Sequence, residues 1–152
     1  MDEAAVKKIR SFNRYYTVWL EVMNKKYLGT VLPWPEARVI FDIYRHPGIS
    51  ATEVCGHLQM DKSYVSRILG KFEKQKRITR EEVPGSKGTK KLWLTESGEK
   101  LALEIDQSGT KQIEAKLAPL DEETLSKLCG AMVFIENTLQ KIDRREVKND
   151  EP

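Results

Sequence analysis

The chain has 152 residues, of which 26 are Lys or Arg, 23 are Asp or Glu and only 2 are His, for a formal charge of +3, and that length suits one ordinary domain. No uninterrupted apolar run approaches the roughly 20 residues that cross a bilayer, and Met1-Asp2-Glu3 does not open a signal peptide, so no membrane partner is expected. Cys55 and Cys129 lack CxxC spacing and no glycine-rich phosphate loop is present, which speaks against a disulfide framework, a structural zinc, a cofactor or an enzyme and fits a reducing, cytoplasmic setting.

In chain order, Ile9, Phe12, Tyr16, Trp19 and Met23 recur at steps of 3 and 4, which predicts an amphipathic helix over about residues 4–28, with Gly29 ending it. After Pro33-Trp34-Pro35, Ala37, Ile40, Phe41 and Tyr44 predict a second helix, with Pro35 in its first turn and Pro47-Gly48 stopping it. Ser50-Ala51-Thr52-Glu53 has the form of a capping box, which opens a third helix running to about Leu58. Asp61 is placed to cap a fourth, whose inward residues are Val65, Ile68, Leu69 and Phe72. So short a connection at Gln59-Met60 gives the third and fourth helices helix-turn-helix geometry.

Ile78 to Val83 and Leu92-Trp93-Leu94 read as two strands, and Pro84 to Lys91 between them is turn chemistry rich in cations. Together they predict a two-stranded β-wing. Thr95 is placed to cap a fifth helix through Leu101, Ile105 and Ile113, weakened at Ser108-Gly109. Asp121 caps the last helix, with Leu120 and Leu125 as its staple, and Leu125, Leu128, Met132, Ile135, Leu139 and Ile142 form a heptad seam. The fold class expected is mainly α with a two-stranded β-wing, a winged helix-turn-helix between N- and C-terminal dimerisation helices. Residues 1–30 and 96–146 supply the dimerisation helices, 33–95 the winged helix-turn-helix and 147–152 a disordered tail.

The charge is unevenly spread. Residues 1–60 carry 8 basic and 6 acidic residues, residues 61–91 carry 10 and 4, and residues 92–152 carry 8 and 13. The excess of cations therefore falls on the fourth helix and the wing, where a one-signed field would meet a polyanion, or would simply be a solvated helix face. Two long helices with narrow apolar stripes either complete their own subunit's core or bury against a second copy. A two-fold homodimer would set two recognition helices in successive major grooves, roughly 34 Å apart, on a pseudo-palindromic site.

This order of elements resembles the MarR family of bacterial transcription regulators, over residues 5–145. The resemblance is carried by Met60-Asp61-Lys62-Ser63-Tyr64-Val65-Ser66-Arg67-Ile68-Leu69 with Phe72-Glu73-Lys74, and by Leu94-Thr95-Glu96-Ser97-Gly98 at the exit from the wing. It implies a dimeric repressor or activator of transcription, often tuned by a small phenolic or other organic effector or by cysteine oxidation. In the wing the chain departs from the family, with Ser86-Lys87-Gly88 where an acidic residue followed by arginines is usual. Lys87 then offers a flexible point charge instead of a planar fork.

For double-stranded DNA the residues expected to make contact are Ser50, Thr52, Lys62, Ser63, Tyr64, Ser66, Arg67, Lys71, Lys87, Lys90 and Lys91. Lys62, Ser63, Ser66 and Arg67 lie at the helix end that enters the groove first, Arg67 on a guanine or on a phosphate. Lys71, Lys74, Lys87, Lys90 and Lys91 suit phosphates, Ser50 and Thr52 a phosphate at a helix N-terminus, and Tyr64 either the surface or the core. The homodimer interface expected is Ile9, Phe12, Tyr16, Trp19, Leu128, Met132, Ile135 and Leu139. Tyr15, Tyr16, Trp19, Trp34, Arg38 and Phe41 would either line a pocket for a small aromatic effector or pack without a cavity. Cys55 and Cys129 read as small buried hydrophobes, and no cysteine lies in the first helix, where the family's best-known redox sensor has one. His46 and His57 cannot make a His-rich metal site, so no metal is expected. The alternative reading, a winged-helix module that binds protein through the same surface, calls for an exposed apolar patch where this chain has Lys, Ser and Arg.

Overall fold

A computed structural model describes residues 2–24, 26–30 and 32–149; for Tyr27 and residues 144–149 it describes the backbone alone. Six α-helices and one hairpin follow in the order α1 Glu3–Trp19, α2 Trp34–Arg45, α3 Ala51–Leu58, α4 Lys62–Lys74, β1 Ile78–Glu82, β2 Lys90–Leu94, α5 Glu96–Leu117 and α6 Glu122–Asn149, with a 3-10 turn at Tyr27–Gly29. The chain is mainly α with a two-stranded antiparallel β-wing. It divides into two compact units, residues 1–112 and 113–152.

The first helix is shorter than its stripe predicts. It ends at Trp19, and Glu21 enters the left-handed region at φ 58°, a conformation that stops a helix although neither Gly nor Pro announces it. Met23 consequently falls outside the helix and is exposed. The middle helices follow their caps closely. In α2, Pro35 sits in the first turn beneath Pro33. At α3, the Glu53 amide donates to the Ser50 hydroxyl at 3.2 Å while the Ser50 amide donates to Glu53 Oε2 at 2.8 Å, so the capping box is complete. Gln59, at φ 51°, turns the chain out of α3 and into α4.

The core of the first unit is built from the inward faces of these elements. Val39, Ile40 and Ile43 of α2, Val54 of α3, Val65, Leu69 and Phe72 of α4, Ile78 of β1 and Leu92 of β2 are fully buried. Leu101 and Ile105 of α5 join the same cluster, so the first turns of that helix pack with the winged helix. The helix runs unbroken through Ser108-Gly109, where the sequence suggests weakness.

β1 and β2 pair in the register Ile78 to Leu94, Thr79 to Trp93, Arg80 to Leu92, Glu81 to Lys91 and Glu82 to Lys90. The second strand starts two residues earlier than its apolar alternation indicates, and the first ends at Glu82, so the tip is residues 83–89. A third backbone segment joins the wing: Gly48 N donates to Leu92 O at 2.9 Å, Leu92 N to Ile49 O at 2.8 Å, and Ser50 bridges to Lys91. At the exit from the wing, Thr95 Oγ1 accepts from the Gly98 amide and donates to Lys76 O, and the Thr95 amide donates to Arg77 O.

In the second unit, Asp121 caps α6 by accepting from the Thr124 amide at 2.7 Å. The helix extends to Asn149 and so takes in the first three residues of the expected disordered tail, while residues 150–152 lie outside the described residues.

Candidate nucleic-acid interface

The amphipathic split of α4 places its functional side chains. Burying Val65, Ile68, Leu69 and Phe72 leaves Lys62, Ser63, Tyr64, Ser66, Arg67, Lys71 and Lys74 on the outer face, because side chains three and four apart share one face of a helix. Asp61 anchors the leading end by accepting from the amides of Ser63 at 2.9 Å and Tyr64 at 3.1 Å, and from the Ser63 hydroxyl. Those bonds, the Ser63 hydroxyl foremost, hold the Asp61 carboxyl below the usual carboxylate range. Ser63 is thus partly committed to the cap. Arg67 extends its guanidinium over the Tyr64 ring, 5.4 Å from the centroid, a stacked arrangement that pre-orients a long side chain. With Gly70, Lys71, Lys74 and Gln75, Arg67 lines a shallow groove along the helix.

Some of the other expected phosphate contacts stand opposite acidic groups of the chain itself. Lys71 Nζ lies 2.9 Å from both carboxylate oxygens of Glu36 on α2. Lys90 and Lys91 stand on β2 directly across from Glu82 and Glu81, where opposite charges interact favourably. Lys87 is exposed on the tip, between Gly85 at φ 79° and Gly88 at φ 83°. The wing is tied to the helix behind it by Arg80 Nε, 2.8 Å from Glu73 Oε2. At α3 the Ser50 hydroxyl is engaged in the capping box and Thr52 is exposed. The Glu53 carboxylate already occupies that helix N-terminus, and hydrogen bonds from Ser50 hold it below its ordinary range.

The stripes expected to meet a second copy are not part of the chain's own core. No residue of α1 is buried, and Ile9 and Phe12 are exposed, Ile9 to 60%. Phe12, Tyr16 and Trp19 stack in a ladder with centroids 5.3 and 5.6 Å apart. On α6, Met132, Ile135 and Leu139 are exposed and Leu128 is half-buried. Cys129 is exposed as well, contrary to the burial expected of it, while Cys55 packs partly buried against the core. Of the residues expected around an effector, Tyr15 is exposed on α1, and on α2 Arg38 lies over the Trp34 ring at 5.8 Å while Phe41 stacks on Tyr44.

One grouping was not visible in the sequence. Asp42 and His46, four apart at the end of α2, meet His57 from α3, with each imidazole Nδ1 3.2 Å from an Asp42 carboxylate oxygen. The spacing of Asp42 and His46 is a signal that sequence reading could have used; the third member depends on the packing of α2 against α3.

A helix-turn-helix whose second helix buries one face and turns a cation-bearing face outward, followed by a hairpin, defines a winged helix. Residues 32–87, from just before α2 into the tip of the wing, are similar to the MarR family model. Solved structures extend the likeness in fold to nearly the whole chain. A MarR transcriptional regulator from Methanosarcina mazei Go1 is 19% identical with a TM-score of 0.71, over 93% of this chain and 99% of the other. Streptococcus pneumoniae FabT, solved in complex with DNA, is 17% identical at TM-score 0.71, over 93% and 99%. Staphylococcus aureus MarR, solved with salicylate and kanamycin, is 20% identical at 0.72, over 92% and 95%. No curated protein sequence matches the chain.

Proposed function

We propose that this protein is a sequence-specific regulator of transcription that binds double-stranded DNA as a homodimer on a pseudo-palindromic operator, and not an enzyme. The observation that carries the reading is the division of α4, with Val65, Ile68, Leu69 and Phe72 sealed in the core and Lys62, Ser66, Arg67 and Lys74 left outside. A helix so anchored can enter a major groove without unpacking the domain. Lys62, Ser63, Ser66 and Arg67 reach base edges or adjacent phosphates. Tyr64 supports Arg67 from below, and Lys74, Lys87 and Thr52 meet backbone phosphates. Ser50 and Lys71 contribute less, since each is already engaged within the chain, and Lys90 and Lys91 meet phosphates from positions across the wing from Glu82 and Glu81. The DNA-bound state of FabT, a protein of the same fold, supports this mode of binding.

The winged helix-turn-helix of residues 33–95 is the reading part, and residues 1–30 and 96–146 supply dimer contacts through Ile9, Phe12, Tyr16, Trp19, Leu128, Met132, Ile135 and Leu139. Their exposure in one chain supports burial against a second copy, because apolar stripes of this extent rarely stay wet. A small aromatic effector lodges by Tyr15, Trp19, Trp34, Arg38 and Phe41; salicylate bound to the S. aureus relative is of that chemical class. Such a regulator works in the cytoplasm, and among the described residues no helix is long and apolar enough to cross a membrane.

The test is an anisotropy titration against the DNA upstream of the protein's own gene, with a scrambled duplex as competitor, at several salt concentrations. Selective binding is expected, with log K falling by about 0.9 per log unit of salt for each phosphate neutralised. Arg67→Ala should lose the selectivity and keep the dimer. A flat salt dependence, or equal binding to the scrambled duplex, would overturn the reading and favour a module that binds protein.

A further inference from the structure

We propose that Asp42, His46 and His57 form a binding site for a divalent first-row transition metal, of which Zn2+ is the representative, at the corner where α2 meets α3. The inference stands apart from DNA binding and rests on three side chains that the fold gathers from two helices. Asp42 is the only buried charged residue among the described ones, 8% exposed, in the turn of α2 that also buries Ile40 and Ile43. His46 Nδ1 lies 3.2 Å from Asp42 Oδ1 and His57 Nδ1 3.2 Å from Oδ2. The two rings meet edge to face with centroids 4.9 Å apart. One donor atom from each of the three residues falls within a span of 4.8 Å.

These distances suit a metal as well as they suit hydrogen bonds. Zinc holds imidazole nitrogen and carboxylate oxygen at about 2.0–2.2 Å in a tetrahedron, so neighbouring donors stand about 3.4 Å apart. The observed 3.2 Å between each imidazole nitrogen and the carboxylate is nearly that edge. In the absence of metal an Nδ1–H can donate to the carboxylate or, at His46, to the Asp42 carbonyl oxygen 3.1 Å away; with metal the proton would sit on Nε2, on rings whose side chains are 51% and 47% exposed.

The donor set selects the class of ion. Two nitrogens and one oxygen favour Zn2+, Co2+, Ni2+ or Cu2+ over Mg2+ and Ca2+, which take oxygen ligands. Three protein donors on a partly exposed corner leave a fourth position for water. Glu53 is held in the capping box by the Ser50 amide and is not counted among the donors. Structurally, the ion would brace α2 to α3 across the 47–50 loop, whose Gly48 and Ile49 are hydrogen-bonded to Leu92 of the wing.

The test uses the full-length, untagged chain, stripped with a chelator, titrated with Zn2+ by calorimetry and with Co2+ by visible absorption. One equivalent per chain is expected, with the intense bands of low-symmetry Co2+ and a rise in melting temperature on adding Zn2+. His46→Ala and His57→Ala, both at half-exposed positions that leave the core intact, should each weaken binding at least tenfold and abolish the rise in melting temperature. Circular dichroism confirms that each variant is folded before titration. Absence of saturable binding, or binding that either histidine substitution leaves undiminished, overturns the proposal.

Discussion

Lys71 Nζ sits 2.9 Å from each carboxylate oxygen of Glu36, so the outer face of α4 is tied to the first turn of α2 by a forked ion pair. The lysine is 47% exposed at its side chain and the glutamate 13%, and an ion pair open to solvent on one side is worth no more than about 1 kcal/mol. Lys71→Ala and Glu36→Gln should therefore cost similar, small amounts of stability. The double variant should cost little more than either, less than the two single costs combined, which chemical denaturation would register as a favourable coupling in a double-mutant cycle. Because its charge is already answered, Lys71→Ala should change the salt slope of DNA binding less than Lys62→Ala does. Equal slopes for the two lysine variants would mean that Glu36 releases Lys71 to a phosphate.

Gly98 offers a sharper test of the wing's attachment. A Cβ built there would stand 2.1 Å from the Arg77 carbonyl oxygen and 3.3 Å from Leu94 Cδ2. The first of these is backbone, which cannot swing aside. Gly98→Ala should destabilise the protein by about 1–3 kcal/mol or more despite alanine's better helix propensity, whereas Gly70→Ala, with open space around its Cβ, should be neutral or stabilising. Thermal melts of the two variants side by side check both signs, and a Gly98→Ala protein as stable as the parent would show that α5 can shift relative to the Arg77 turn.

Much of the fold was legible because its signals are local. Ser50 with Glu53, Asp61, Pro35 and Asp121 each cap or open a helix by contacts within three or four residues, and the inward stripe of α4 is a simple period. What escaped was set by contacts distant in sequence or by strained backbone. Glu21 ends α1 in a left-handed conformation that no glycine signals. The pairing of Gly48 and Ile49 with Leu92, the clamp of Lys71 on Glu36 and the meeting of Asp42 with His57 all join residues that only the folded chain brings together. On the candidate interface, the period of α4 named the face that is exposed, but could not show that Lys71 is paired with Glu36 or that Lys90 and Lys91 stand across the wing from Glu82 and Glu81.

The exposed seam of α6 predicts that assembly and folding can be separated. Met132, Ile135 and Leu139 are exposed on α6, so charging the seam should not unfold the chain. Met132→Asp with Ile135→Asp is expected to convert the proposed dimer to a monomer in sedimentation equilibrium while a cooperative unfolding transition of the winged helix persists. DNA affinity should fall as well, since each half-site would then be bound alone. A variant that remains dimeric would remove α6 from the interface.

Acid should loosen the helix-turn-helix. The carboxyls of Asp61 and Glu53, which cap α4 and α3, are both held below their ordinary values by hydrogen bonds, from Ser63 and from Ser50 respectively. A carboxyl whose folded value lies below its unfolded one binds fewer protons when folded, so its contribution is present above the unfolded value, about 4 for these groups, and is lost as pH falls through the folded value. Stability should thus hold from neutrality to about pH 5 and decline below it. Asp61→Asn keeps an oxygen that can accept from the Ser63 and Tyr64 amides, since asparagine is also a good N-cap, but it removes the titration. Urea unfolding between about pH 5 and pH 3 should therefore show a shallower decline for Asp61→Asn than for the parent, the difference growing as pH falls. Parallel curves would mean that the Asp61 cap persists in the unfolded chain or that its proton is not linked to folding.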